Sequence, residues 1–488
     1  MAWWHSMQLL SNQNFKNSFY DGMLAHMFAT LTGGVFLTGF ALYLGMSAFM
    51  IGLLAALPFL VTPFQVIVSY VIRKKGRRKT VAYFGAAAAR TIWIAVLFVA
   101  IVPLSSLLAK QCIVLSLIFL CHACGSISYV AWLSWTSDLV PDEMRGRFFG
   151  TRNMLCGIAG IIVMLAFGNF LDVLNARFQD GMTVGFVIIF LSAVLFGILS
   201  LKFLNRISEC EVEHEVDDRP LRGYLFLPLQ ERGFRKFLIY GFFWSFSVYF
   251  ASPFFTLYFL RDLKFGYGFV ATLAMLSSFA DLIGMQVWGK ISDQVKNKAV
   301  IQVASWVAVF IPFAWATVRP GSIVIPILLH IMGGSFWAGI NLCMNNLALS
   351  ISPRQNRAFF LSAQNIFSGL GAAISPILAG VFLKSLGSFE FQLFSWKVIP
   401  LHVIFLISSL LRLLSLQFFR YVHEPEEVTV GEMVRILRGV RGLNTANGFS
   451  YPLHPFLEAA KRGRAPRQTH DLQREAVFEG HRTPESLL

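Results

Sequence analysis

Apolar residues in this chain come in long runs separated by short polar joints. Twelve runs can be marked: Phe19–Leu44, Ala48–Ile72, Thr80–Val102, Cys112–Trp135, Phe148–Leu171, Val184–Leu204, Phe237–Leu260, Phe269–Trp288, Ala299–Val318, Ile323–Leu349, Phe359–Leu383 and Val398–Phe419. Runs of about 20 residues are long enough to cross a hydrocarbon layer about 30 Å thick. In lipid, backbone N–H and C=O groups find no water, so such segments satisfy them internally as helices. A β-barrel is excluded, because barrel strands are about ten residues long and alternate in polarity. The expected fold is all-α and integral to a membrane.

Two of the polar joints read as versions of one another. Pro141, Arg145, Phe148 and Asn153 in the first keep the spacing of Pro353, Arg357, Phe360 and Asn365 in the second. Each joint lies between two apolar runs, which points to a duplicated unit: two pseudo-symmetric bundles of six transmembrane helices. The expected divisions are an interfacial segment at 1–18, a first bundle at 19–204, a linker at 205–236, a second bundle at 237–420 and a tail at 421–488. The start, Met1-Ala-Trp-Trp-His, has no charged leader, and Trp3 and Trp4 suit an interface.

Charge supplies the orientation. Lys and Arg crowd the joints after even-numbered runs, as in Arg73-Lys-Lys-Gly-Arg77-Arg78-Lys79, whereas the other side carries little beyond Lys110, Arg177, Arg261 and Lys264. By the positive-inside rule both termini are expected in the cytoplasm, with the chain in a bacterial-type plasma membrane. The linker starts acidic, with Glu209, Glu211, Glu213 and Glu215, and its later part is expected to lie on the cytoplasmic surface. In the tail, residues 430–443 space Val434, Leu437 and Val440 against Arg435, Arg438 and Arg441, the pattern of an amphipathic helix or a soluble one, and the chain beyond is expected to be disordered.

Composition agrees. The chain is 56% hydrophobic and 14% charged, whereas soluble proteins carry roughly a quarter charged residues. The net charge of +15 lies between apolar runs rather than on one domain, which argues for a lipid bilayer as partner and against nucleic acid. A monomer is expected. The six cysteines lie mostly inside apolar runs and do not form a secreted disulfide framework. No nucleotide-binding loop or catalytic set occurs, so an enzyme is disfavoured, no cofactor is expected, and energy must come from a gradient.

The loops carry a family resemblance. Gly76-Arg77-Arg78 ends a stretch, beginning at Ser69, that resembles the second-to-third-helix motif of the major facilitator superfamily. Gly289-Lys-Ile-Ser-Asp293, followed by Lys296 and Lys298, supplies the complementary glycine and aspartate at the repeat position. With the helix count and the paired joints, residues of about 15 to 420 resemble that superfamily of secondary transporters. Two features depart from many members. Cys121 and His122 stand where an arginine is common in the fourth helix, and the fifth helix has Gly157, Gly160 and Gly168 without proline, which weighs against a multidrug antiporter.

The resemblance implies a midplane cavity lined by the first, fourth, seventh and tenth helices, binding a small-molecule substrate. Candidate cavity residues are His26 and Thr30; Ser128 and Trp132; Tyr249; and His330, Trp337, Asn341 and Asn345, which share one helical face with Gly334. Gly34 extends the first stripe, and Ser245, Ser252 and Thr256 extend the seventh. The fourth helix offers a second face, His122, Ser126 and Tyr129. The same residues also suit helix–helix packing. Aromatic walls with few fixed charges favour an amphipathic or weakly charged organic solute.

Asp281 lies well inside the eighth run, with Ser277, Gly284 and Trp288 on its face. An Asp at a helix centre costs about 2.5–3.5 kcal/mol, so it should face protein or water. It is the candidate for reversible proton binding, with His330 as a partner; the alternative is a permanent structural pair. Arg90 is also deep, and structural pairing or snorkelling is expected there ahead of binding an anionic substrate. Arg412 stands close enough to the end of the twelfth run to snorkel. Cys121-His122-Ala-Cys124 suggests soft metal ligands, but helical spacing turns His122 away from the two thiols, and no metal is expected.

Gate residues are expected at the cytoplasmic joints. Arg77 and Arg78 face Asp138, with Glu143 beside it; Arg145, Asn153, Arg357 and Asn365 enter the fifth and eleventh helices; Gly289 and Asp293 approach the start of the fifth. The expected function is a secondary transporter of a small organic solute, working by alternating access and coupled to protons. A non-transporting membrane sensor or scaffold with the same fold is the alternative.

Overall fold

A computed structural model describes residues 12–65, 68, 77–102, 106–209, 227–353, 357–387, 389–393 and 396–424. Trp3, Trp4, the Ser69–Gly76 motif fragment, most of the acidic linker and the amphipathic stretch of the tail lie outside these residues. Twelve helices are long and apolar enough to cross a membrane: α1 Gln13–Tyr43, α2 Ala48–Gln65, α3 Arg78–Ile101, α4 Leu107–Leu139, α5 Asp142–Arg177, α6 Gly181–Asn205, α7 Arg232–Asp262, α8 Tyr267–Val295, α9 Asn297–Ala316, α10 Val324–Ile351, α11 Arg357–Leu386 and α12 Pro400–Phe419. Their outer surfaces are apolar, with Phe84, Phe98 and Val324 each about two-thirds exposed, as lipid contact requires.

Several ends differ from the limits of the apolar runs. Helix α1 begins at Gln13, inside the expected interfacial segment 1–18, because Asn12 caps it by accepting from the Asn14 N–H. Helix α7 begins at Arg232, inside the expected linker 205–236. The joint at Pro141 is itself helical. Proline opens α5, and the Arg145 guanidinium turns back to donate to the Ser137 carbonyl in the last turn of α4, at 2.8 Å, while pairing with Asp142. A cation there satisfies an orphan carbonyl and complements the helix dipole. A short hairpin, β1 Phe391–Leu393 paired antiparallel with β2 Trp396–Val398, precedes α12. It shortens the twelfth run, which starts at Pro400 instead of Val398.

Among the described residues α1 and α7 are each broken by two residues, and α2 carries a single turn residue, Val61. In α1 the helix stops at Leu31 and restarts at Gly34, which has φ +50°, a left-handed conformation that glycine adopts without a Cβ penalty. In α7 it stops at Tyr249 and restarts at Ser252, where Pro253 brings no N–H and so tolerates the new first turn; the span ends in a π-turn, Tyr258–Asp262.

Small residues set the close packing. Helix α3 lies on α4 at Gly85, and the Ser128 hydroxyl donates to the Ala82 carbonyl at 2.7 Å. Helix α8 lies on α10, with Gly284 against the Ser335 carbonyl, Gly334 against the Ser277 carbonyl and Trp288 on Gly339. Helix α1 packs on α5 and α6, while α7 packs on α11 and α12. Contacts between the first six and last six helices run chiefly along α2–α11 and α5–α8. Gly52 meets the Pro376 carbonyl and Gly380 meets the Phe49 backbone. The Asp172 carboxylate, at the far end of α5, accepts from the Tyr267 and Gly268 N–H groups that open α8, both at 2.8 Å.

At the opposite end each set carries one matching cap. Glu209, just beyond α6, accepts from the Lys79 N–H at the start of α3. Glu424, just beyond α12, accepts from the Asn297 and Lys298 N–H groups at the start of α9.

Candidate functional site

The two helix breaks meet at one cavity of about 580 Å³. Thr32, Gly33 and Gly34 from the α1 break line it, as do Pro253 and Thr256 from the restart of α7. Pro58 and Gln65 of α2, Trp93 of α3, and His122, Ser126 and Tyr129 of α4 form other parts of the wall. Interrupted helices expose backbone groups that a continuous helix would consume, and such breaks commonly form binding sites in transporter folds. The volume lies in the range of small-molecule sites, which are mostly apolar with a few polar groups.

Helix α4 thus presents the His122, Ser126 and Tyr129 face to the cavity. Ser128 is turned toward α3 by its bond to Ala82 and does not line the space. Trp132 sits one step behind the wall, stacked on Tyr129 at 6.1 Å. His26 and Thr30 also lie outside the lining; His26 packs on Gly160 of α5, and the Thr30 hydroxyl donates to the His26 carbonyl.

Behind the wall is a buried charge cluster. Asp21 of α1 is 3% exposed and faces both Arg90 of α3 and Arg152 of α5. Arg152 approaches Asp21 at 3.9 Å, beyond hydrogen-bond range, while its guanidinium lies 4.2 Å above the Trp132 ring. Arg90 is 7% exposed and its alkyl chain packs on Gly197 of α6. Arg90 is therefore turned inward to an acid rather than out to the interface.

In the last six helices the predicted residues separate. His330 packs between Phe259 and Trp315, with Nδ1 3.0 Å from the Pro326 carbonyl. Asp281 is half-buried on α8 with no hydrogen bond or ion pair among the described residues, so the expected Asp281–His330 partnership does not form. His330 belongs to the α7–α9–α10 packing, whereas Gly334, one turn on, is the residue that meets α8. Trp337 packs against Trp244 at a tilt, and Asn341 and Asn345 are exposed. Tyr249 reaches across to Phe59 of α2 at 4.6 Å. Arg412 does not snorkel. It is 3% exposed, donates to the Ala308 carbonyl at 2.6 Å and lies 6.0 Å from the Trp337 ring.

Of the gate candidates, Arg78 pairs with Asp138 and ties α3 to α4. Arg77 is the exposed residue before α3. Asn153, Asp293 and Asn365 are exposed, and Gly289 and Arg357 are half-buried. The start of α5 carries the Arg145–Asp142 pair.

Hydropathy alone passes over three features. Asp21 lies near the beginning of the first apolar run, the Gly33-Gly34 break lies inside that same run and the Ser252-Pro253 break inside the seventh, and Asp172 lies just past the limit of the fifth. Glycine or proline interruptions at corresponding places in two halves are the sequence signal that points to the cavity.

A profile of the Major Facilitator Superfamily matches residues 22–376 and 237–456. Among solved structures, the chain is similar to the nucleoside transporter NupG, with 13% identity, a TM-score of 0.61, and coverage of 84% of this chain and 98% of that one. It is also similar to the D-xylose–proton symporter, with 13% identity, a TM-score of 0.61, and coverage of 86% and 99%. A bacterial homologue of the human lysosomal transporter Spinster, inward-facing and occupied, has 13% identity, a TM-score of 0.59, and coverage of 86% and 96%. At these identities the likeness is one of fold. Comparison with characterised proteins by sequence finds no match.

Proposed function

Since the chain belongs to the major facilitator superfamily, whose members are transporters and generally not enzymes, we propose that it carries a small organic solute by alternating access, driven by a proton gradient. The observation that carries this reading is the cavity built on the two helix breaks, one from each set of six helices. In this reading residues 19–204 and 237–420 are two bundles that rock about the cavity, with both termini in the cytoplasm and the monomer as the working unit in a bacterial-type plasma membrane. The α5–α8 contact at Asp172 and the glycine-lined α2–α11 approach close the outer end. Asn153, Asp293, Arg357 and Asn365 then lie along the inner opening.

Proton coupling rests on Asp281, whose carboxylate has no pairing among the described residues to hold it permanently ionised. NupG and the xylose symporter are named for nucleoside and sugar transport; the aromatic wall here, Trp93 and Tyr129 with Trp132 behind, suits a more apolar organic body. The test is purified protein in liposomes with an imposed proton gradient and a labelled solute library. Accumulation abolished by a protonophore is expected, and ligand binding without flux would favour the sensor or scaffold reading. Asp281→Asn is expected to uncouple accumulation from the gradient while leaving facilitated exchange. Unchanged gradient-driven accumulation would remove Asp281 from the coupling.

A further inference from the structure

We infer that the solute is an organic anion whose acidic group docks on Arg152. The inference rests on the cavity being the transport site, and it begins from a charge imbalance. Among the described residues deep within the spans, three guanidiniums (Arg90, Arg152 and Arg412) accompany one buried carboxylate, Asp21. Asp281 is on α8, and Asp172 is engaged by backbone N–H groups at the end of α5. Ionised side chains inside a membrane protein are costly to keep, and those retained commonly mark the path of a charged ligand. A cluster of one carboxylate and two guanidiniums carries a surplus positive charge that an anion would neutralise.

Geometry selects Arg152. Arg90 and Arg412 are sealed by packing, whereas the Arg152 side chain keeps 15% exposure. It lies over Trp132, which stacks on Tyr129 in the cavity wall, so an aromatic ladder leads from the open space to the guanidinium. Its contact with Asp21 is too long for a hydrogen bond, and its Nε, like those of Arg90 and Arg412, has no partner among the described residues. Two further buried donors beside the cavity wall, Trp132 Nε1 and the Ser126 hydroxyl, also lack partners among the described residues. Unpaired buried donors are rare because each carries a desolvation penalty. A guanidinium edge, an indole N–H and a hydroxyl, gathered beside an apolar cavity, match an acceptor-rich planar group such as a carboxylate, which arginine binds in a two-pronged geometry. The apolar remainder of the solute lies against Tyr129 and Trp93.

Asp21 is then the internal competitor. In the empty site it holds Arg152 loosely; when the solute arrives, Arg152 turns to the new anion and Asp21 keeps Arg90. The two residues therefore have opposite effects on affinity, which a purely structural ion pair would not show.

The test uses the full-length protein in lipid nanodiscs and a probe set of small aromatic carboxylates, each with its amide and its amine. Binding is read from thermal shift and from quenching of tryptophan fluorescence. At least one carboxylate is expected to bind tenfold or more tightly than its amide, with the amine weakest. Arg152→Gln should abolish that preference, Arg152→Lys should keep part of it, and Asp21→Asn should tighten carboxylate binding several-fold. Size-exclusion profiles establish that each variant is folded; if Arg152→Gln does not fold, the Asp21→Asn and Arg152→Lys measurements decide. No binding by any probe, equal binding of the three forms, a preference for amines, or weaker carboxylate binding in Asp21→Asn would each overturn the inference. Flux is measured separately on the same carboxylates, so binding with the stated preference but without flux would count against transport and leave the anion site standing.

Discussion

The two sets of six helices bury arginine in similar surroundings but treat it differently. In the first set Arg90 reaches from α3 to Gly197 of α6 and finds Asp21 on α1. In the second set Arg412 reaches from α12 to the Ala308 carbonyl of α9, and the aromatic neighbour is Trp337, with no acid partner among the described residues. One arginine thus lies in the field of a buried acid without a hydrogen bond to it, and the other is a hydrogen-bonded strut. The cavity lies mostly on α1–α4, on the side of the ion pair, with only the α7 restart contributing from the second set. The two sets separate the chemistry: the first carries the charges that lie beside the cavity, and the second holds its arginine sealed.

That contrast can be broken most strongly at the arginines themselves. Arg90→Leu should cost about 1–3 kcal/mol, because it leaves a buried carboxylate with only the 3.9 Å Arg152 contact, whereas Arg412→Leu should cost under about 1 kcal/mol or even stabilise. Thermal unfolding in detergent measures both, and equal losses would mean the two arginines do the same work. A smaller effect is expected at the contact between the sets. Asp172→Ala removes two charge-assisted bonds to the start of α8, a loss of about 2–3 kcal/mol for that contact. Distances between spin labels on the ends of α5 and α8 should then show a new, wider population; an unchanged distribution would show that the glycine contacts hold that end alone. Smallest is the difference between the caps. Glu424→Ala should lower stability by about 1–2 kcal/mol, and the exposed Glu209→Ala by a few tenths, as judged by melting temperature. A reversed order would mean that bond number does not rank the two caps.

Much of the fold is legible because lipid imposes a single rule: apolar runs long enough to span become helices. The rule reports runs, and it is silent about irregularity within them. Gly33-Gly34 and Ser252-Pro253 interrupt runs that hydropathy reads as continuous, and those interruptions shape the cavity. On α4 both candidate faces carry hydroxyls and aromatics, so polarity does not choose between them. The choice is made by Gly85 on α3, which lets α3 approach closely enough to take Ser128 and leaves Ser126 toward the cavity. Arg90 needs a partner on any reading of its depth, but naming Asp21 requires knowing that α1 and α3 are neighbours across α6. Partnerships between distant segments are the part that periodicity does not encode.

The caps at Lys79 and Asn297 bear on how the chain is made. Glu209 lies 130 residues beyond Lys79, and Glu424 lies 127 beyond Asn297. Each bond can form only after the sixth helix of its set has been synthesised, so each marks the completion of a unit. The first can close while the second set is still unmade, letting the growing chain settle its first six helices in the bilayer before α7 enters it.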